Sequence, residues 1–212
     1  MNEQKMMNKQ ELIQFEEDII KHFEAGEIKA PIHLSSNNED QLIEIFKRHN
    51  IGKDDWVCCT WRSHYECLLK GVPPEELKQK ILDRQSISLC FKEYNIISSA
   101  IVGGICPIAL GIAQGLRLNK KPGRVFVFLG DMSAETGIFH ECHKYGWNFD
   151  LPVYWTIADN NKSVCTNTRT TWGMDQHKYD DFMAKNNFYL NIYHYKYESK
   201  YPHAGGLKRV NF

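Results

Sequence analysis

The chain has 212 residues, enough to bury a substantial core in one domain, and its 26 Lys plus Arg are balanced by 26 Asp plus Glu. That neutrality excludes the broad basic charge needed to hold nucleic acid or an anionic membrane, and no apolar run approaches the ~20 residues that cross a bilayer. The opening MNEQKMMNKQELIQ is too polar for a secretory signal, so a cytoplasmic location is expected, and seven cysteines without CxxC spacing read as reduced thiols. In chain order, Glu11 to Glu24 predicts an amphipathic helix, with Leu12, Phe15, Ile19 and Phe23 on one face and Gly26 ending it. Asn38-Glu39-Asp40 then caps a second helix running through His49. Trp61 to Lys70 is a third, stopped by Gly71 and Pro73-Pro74, and Glu75 to Leu82 a short fourth. Asp83 to Ser99 shows little periodicity and is expected to be a loop at an active-site entrance. Gly103 to Leu118 is the most apolar helix, with Pro107 in its first turn.

The densest information follows. Arg124 to Gly130 is an apolar run ending in Gly-Asp, Val153 to Ala158 a second run ending in Asp-Asn-Asn, and the residues between have helical periodicity. This is a βαβ unit. Its parallel strands place their following loops on one edge of the sheet, so Asp131 and Asn161 converge. A carboxylate and an amide carbonyl at neighbouring strand ends suit magnesium, which shares its remaining positions with water and phosphate oxygens. The helix opening near Ser133 to Gly137 adds backbone amides for a diphosphate. Beyond Ser163, the polar run Thr166 to Thr171 before Trp172-Gly173 has the character of a loop that closes over a cofactor. Asp180 to Asn186 predicts a short helix and Tyr189 to Tyr197 a strand, whereas Tyr201 to Phe212 carries no signal. The fold class expected is α/β, a three-layer α/β/α arrangement with a mostly parallel sheet, as one domain over 1–212 with N-terminal helices. His140 and His143 share a helical face at a spacing zinc can use, but a satisfied helix face is the favoured reading.

Gly130-Asp131, the helix with Phe139-His140-Glu141, then Leu151-Pro152-Val153 and a strand closing on Asn160-Asn161 resemble the thiamine diphosphate signature of 2-oxo acid dehydrogenase alpha subunits and, more distantly, of transketolases. WRSHYECLLKGVPPEELKQKIL is similar to the alpha-subunit stretch with an aromatic-Arg pair. SSAIVGGICPIALGIAQGLRL resembles its glycine-rich loop and helix, and IHLSSNNEDQLIEIF the region after its first helix. These blocks, in the family's order, cover about Ala30 to Gly173.

The resemblance implies a diphosphate-binding domain of the thiamine diphosphate-binding fold. Asp131, Asn161 and the Ser163 carbonyl would hold Mg2+ against the diphosphate, with Asn160 the rival to Asn161. Trp61 and Arg62 would serve the aminopyrimidine side and phosphate. Ala100 and Val102 would meet the aminopyrimidine through their backbone, Met132 and Ser133 the diphosphate through their amides, and Cys165 would lie where the family supports the bent cofactor. His64, by its position close to the Trp61-Arg62 pair, is the catalytic candidate expected to reach substrate or phosphate, with a local helix-surface role the alternative. Met132 stands where the family has glycine, and no His-Gly-His-Ser-type loop is present, His203 in Tyr-Pro-His-Ala-Gly-Gly being a poor match to it. The activating glutamate would come from a separate beta-like subunit in an α2β2 heterotetramer acting on a small carbonyl substrate. The implied activity is decarboxylation of a 2-oxo acid with transfer of the acyl or aldehyde unit. A transketolase-like carboligase subunit and, because of Met132, a noncatalytic regulatory relative are the alternatives.

Overall fold

The structure is a computed structural model that describes residues 6–173 and 191–210. The helix expected at Asp180 to Asn186 and the first two residues of the expected last strand lie outside that range. The elements in order are α1 (Lys9–Glu24), α2 (Glu39–Arg48), β1 (Trp56–Thr60), α3 (His64–Leu69), α4 (Pro74–Leu82), β2 (Cys90–Phe91), a 3₁₀ turn (Lys92–Tyr94), β3 (Ile96–Ser99) and α5 (Ile105–Leu118). They continue with β4 (Val125–Gly130), α6 (Asp131–Ala134), α7 (Gly137–Asn148), β5 (Val153–Asp159), β6 (Lys162–Ser163), β7 (Thr166–Asn167), α8 (Thr168–Trp172) and β8 (Ile192–Lys196).

Local chemistry sets several boundaries. Helix α1 starts two residues before the expected Glu11 because Asn8 and Glu11 form a reciprocal capping box, Asn8 Oδ1 accepting from Glu11 N at 3.1 Å and Glu11 Oε2 from Asn8 N at 2.7 Å. Asn38 precedes α2, but its side chain does not cap that helix; its Nδ2 donates to Tyr195 Oη at 3.1 Å. Trp61 and Arg62, expected within a helix, instead occupy the loop between β1 and α3. Pro74 opens α4, where its missing N–H costs nothing.

Sequence reading overlooked β1, β2 and β3, yet β1 is the centre of the sheet. The six strands run β2-β3-β1-β4-β5-β8, and every pairing is parallel except β2 with β3. Side chains alternate between two helical layers. Val57, Cys59, Phe126 and Phe128 pack with the core of α1, α2, α3 and α4, while Cys58, Val125, Val127, Leu129 and Trp155 pack with α5 and α7. The three-layer α/β/α arrangement is therefore the observed one, with its antiparallel member at the edge. All seven cysteines are free thiols. Among the described residues no helix is long and apolar enough to cross a membrane.

The N-terminal end of the sheet is clamped away from the functional edge. Arg124 donates to Asp55 from its backbone N at 2.8 Å, its Nε at 3.1 Å and its Nη2 at 2.8 Å, joining the starts of β1 and β4. The preceding Gly123 sits at φ +113°, where a Cβ would lie 2.2 Å from the Asp54 carbonyl, so this turn requires glycine. The opposite, C-terminal edge is left to the loops.

Candidate functional site

The chain runs outward from β1 to β3 and then crosses back to place β4 on the other flank of β1. Loops leaving β1 and β4 therefore diverge, and open α/β sheets bind ligands in the crevice this reversal creates. A cleft of about 310 Å³ lies there, walled by Thr60, Trp61 and Arg62 at the end of β1, by Gly130 to Ser133 at the end of β4, and by Asn160, Lys162 and Ser163 after β5. Val102, Val164 and Cys165 border it as well. The β4–α6–α7–β5 segment is the expected βαβ unit, with Gly130 paired to Ala158 in parallel register.

Asp131 begins α6 and is 8% exposed. Burial raises its carboxyl above the ordinary carboxylate range, with the nearby Thr168 hydroxyl opposing and Asp159 reinforcing the shift. Asp131 Oδ2, Asn161 Oδ1 and Thr168 Oγ1 are all buried without a hydrogen-bond partner among the described residues. Thr168 ties them into one neighbourhood: its side chain stands beside Asp131, and its backbone N–H donates to the Asn161 carbonyl at 3.3 Å. Buried oxygens left unpaired are costly, and a group of them at one sheet edge is chemically suited to a hard cation. Hence the residues present fit magnesium.

The loop after β5 is held from beneath. Asp159, 4% exposed, accepts from Asn161 N at 2.8 Å and from Arg169 Nη2 at 3.0 Å, and His194 Nε2 lies 3.1 Å from its Oδ2. Burial pushes this carboxyl up, but His194, Arg169 and the Asn161 amide overcome it and hold it well below the usual range. Asn160 lines the cleft, yet its Oδ1 is already used, accepting from Lys162 N at 3.1 Å in an Asx-type turn. Asn161 is not among the residues lining the cleft; its backbone is at φ +54° and its Oδ1 is buried without a partner among the described residues. Thus the two adjacent amides have different duties: one shapes the turn, the other has a free buried oxygen.

Other expected positions separate into those at the cleft and those away from it. Trp61, Arg62, Val102, Met132, Ser133, Ser163 and Cys165 line it, whereas Ala100 is an exposed residue outside it. Arg62 Nε donates to the Leu34 carbonyl at 2.9 Å, which fixes the guanidinium, and the buried Trp61 Nε1 has no partner among the described residues. Met132 lines the cleft, and its Sδ accepts from Trp172 Nε1 at 3.0 Å, linking it to α8. The expectation for His64 is corrected. It is 0% exposed, its Nδ1 lies 3.2 Å from Glu16 Oε1 and its Nε2 2.9 Å from Ser86 Oγ, so the ring is locked in the helical core and does not line the cleft. His140 and His143 belong to no metal-binding cluster among the described residues.

Sequence reading missed Glu66, Asn38, Tyr197 and the 201–209 segment, which complete the cleft walls. Glu66 is 5% exposed, and burial pushes its carboxyl up to about 8, with Glu16 adding and Arg62 opposing. Because the folded protein holds this proton more tightly than the ordinary value of 4.5, burying Glu66 costs nothing below that value and destabilises progressively as pH rises to about 8. Glu66→Gln is accordingly expected to raise Tm at pH 8.5 by roughly 4–8 °C, equivalent to about 2 kcal/mol, and to give little gain at pH 4.5. Thermal unfolding of both proteins across that range checks this, and a pH-independent difference would contradict it.

Topology and cleft together define a doubly wound α/β protein whose cleft lies at the reversal of strand order and is bordered by hard oxygen donors. The dehydrogenase E1 component family model matches residues 7–180, and the chain belongs to that family. It is therefore a member of the thiamine diphosphate-dependent, transketolase-like superfamily. The alpha subunit of acetoin:2,6-dichlorophenolindophenol oxidoreductase from Cupriavidus necator is 25% identical over 162 residues, covering 72% of this chain and 48% of that protein. The alpha subunit of the pyruvate dehydrogenase E1 component from Rickettsia bellii is 26% identical over 195 residues, covering 85% of this chain and 58% of that protein. The chain thus spans about half the length of the curated relatives it matches.

Proposed function

We propose that this chain is the alpha-like subunit of a thiamine diphosphate- and Mg2+-dependent enzyme that decarboxylates a 2-oxo acid and passes on the acyl or aldehyde unit. The observation that carries the reading is the pair of buried oxygens without hydrogen-bond partners among the described residues, Asp131 Oδ2 just after β4 and Asn161 Oδ1 just after β5. Asp131, the Asn161 side chain and the Ser163 carbonyl would hold Mg2+, with Asn161 preferred to Asn160 because the latter's oxygen is engaged by Lys162 N. The Met132 and Ser133 amides would meet the diphosphate, and Arg62 a phosphate oxygen.

When bound, thiamine diphosphate supplies an acidic ring carbon for attack on a carbonyl and an electron sink for the negative charge that results. The chain's own contribution is positional. Its loop after β5 orients the metal-binding amide, and Arg62 is aimed by the Leu34 carbonyl. The activating glutamate and the rest of the substrate pocket are assigned to a beta-like partner in an α2β2 assembly, as the alpha-subunit names of the relatives suggest.

The direct test is a thermal-shift titration of the full chain. Thiamine diphosphate with Mg2+ should raise Tm by several degrees, roughly 3 kcal/mol of stabilisation at a hundredfold excess over Kd, and EDTA should reverse it. Stabilisation that is unaffected by EDTA would remove the metal from the assignment, and no stabilisation by either component would remove the cofactor.

A further inference from the structure

The wall of the cleft contributed by the N-terminal helical layer holds a second pair of orphaned oxygens. Asn38, at the entry to α2, and Glu66, within α3, both line the cleft and are only 3% and 5% exposed. The Asn38 amide is drawn away from capping α2 by the bond from its Nδ2 to Tyr195 Oη at 3.1 Å, and its Oδ1 is buried without a partner among the described residues. Glu66 Oε2 is in the same condition. Tyr195 connects the two: its hydroxyl accepts from Asn38, and burial, then the Glu66 carboxyl, raise that hydroxyl's hold on its proton. Burial does the same for Tyr197 in the same wall, with Arg62 opposing and Asp131 and Glu66 reinforcing. Neither Asn38 nor Glu66 has a part in the metal and diphosphate contacts proposed above.

What these two oxygens can bind follows from charge. Burial pushes the Glu66 carboxyl up to about 8, with Glu16 adding and Arg62 opposing, so near neutral pH the group is predominantly the uncharged acid, with one O–H to donate. Arg62 forms no ion pair with it among the described residues. An amide oxygen beside an uncharged acid is a poor seat for a cation, and the same amide oxygen repels an anion. An apolar group would leave both oxygens desolvated and unbonded. A hydroxyl suits both at once, donating to Asn38 Oδ1 and accepting the Glu66 proton.

We infer that Asn38 and Glu66 form a hydroxyl-recognition subsite, and that the carbonyl compound entering this cleft carries a hydroxyl group on its chain. The two are specificity residues: a pocket built to bond a hydroxyl rejects the analogue that lacks it, because its buried polar groups then go unpaired. The inference rests on the proposed function for the occupant being a carbonyl substrate, and it narrows that substrate from plain alkyl compounds to hydroxylated ones. The preference for a hydroxyl itself comes from the two oxygens.

The test uses the full chain with Mg2+ and thiamine diphosphate and two probes that differ by a single hydroxyl, hydroxypyruvate and pyruvate, titrated by calorimetry. The native protein should bind hydroxypyruvate tighter than pyruvate by roughly tenfold or more. Glu66→Met, which keeps the volume and removes the polar atoms, should bring that ratio close to one by weakening hydroxypyruvate alone, and Asn38→Leu should narrow it likewise. Glu66→Gln, which can still donate and accept, should retain the preference. A merely structural role would weaken both probes together and leave the ratio unchanged, which overturns the inference. So does equal affinity for the two probes, or failure of hydroxypyruvate to bind, in the native protein, a result that depends on no variant's folding. A hydroxyl preference that persists when thiamine diphosphate with Mg2+ gives no rise in Tm would keep this subsite and remove the cofactor reading; a rise in Tm with no hydroxyl preference would do the reverse.

Discussion

Asp131→Ala should abolish the Mg2+-dependent rise in Tm given by thiamine diphosphate, while leaving the ligand-free protein as stable as the native one or more so. Opposite signs are expected because the carboxylate is buried without a full set of partners. Burial lifts its proton affinity above the ordinary value, so as pH rises the folded state progressively loses stability relative to the unfolded chain. Removing the group relieves that penalty in the empty protein. In the loaded protein the same change deletes the proposed metal contact, for which a loss of a hundredfold or more in affinity, about 3 kcal/mol, is expected. Asp131→Asn should behave similarly, since it keeps the volume and removes the charge. Thermal unfolding with and without ligands, combined with calorimetric titration, measures both effects. A variant that is severely destabilised when empty would identify Asp131 as a structural residue, and one that retains full affinity would remove it from the site.

Asp159→Ala should be costly in both states, although Asp159 is assigned no contact with metal. Its carboxylate holds the Asn161 amide, the Arg169 guanidinium and His194 at once, which joins β5, α8 and β8 under the loop. Deleting it strands a guanidinium that is only 22% exposed and frees the amide that sets the backbone of Asn161. Breaking such a buried charge pair typically costs about 3–5 kcal/mol; partial exposure of Arg169 and His194 reduces the expectation here to about 2–3 kcal/mol. Cofactor affinity should fall by roughly tenfold or more because the metal-binding amide loses its support. Its folded proton affinity is depressed, so the stability it contributes is present above the ordinary carboxylate range and is lost as pH falls below it. Urea denaturation at neutral and acidic pH should show the native and variant proteins converging in acid. Equal midpoints at neutral pH, or an unchanged cofactor affinity, would contradict the role.

Which parts of this architecture were legible follows from how each residue advertises its environment. The β4 and β5 strands announce themselves as apolar runs closed by Gly-Asp and Asp-Asn-Asn, and their register matches a βαβ unit. By contrast β1, Trp56–Thr60, is short, has two cysteines at its centre and follows the polar Lys53-Asp54-Asp55, so its interior position left little mark on the pattern. The β3 strand contributes only Ile96 and Ile97 to an otherwise polar end, and β2 only two residues. His64 misled because proximity in sequence to an aromatic-Arg pair is no guide to direction: the loop carrying Trp61 and Arg62 faces the cleft, while α3 turns the imidazole into the core. The preference for Asn161 over Asn160 rests on which amide oxygen the local Asx-type turn engages, a detail of backbone geometry that two adjacent asparagines do not reveal in sequence. The 197–209 segment was invisible for the same reason, since its bonds reach residues more than a hundred positions away.

The adjacent Cys58 and Cys59 of β1 look toward opposite helical layers, each fully enclosed and each held as a neutral thiol by that enclosure. A reagent that alkylates one therefore registers separation of α5 and α7 from the sheet, and one that alkylates the other registers detachment of the N-terminal helices. Neighbouring sulfurs thus make the order in which the two coats peel away readable by mass spectrometry of a single peptide.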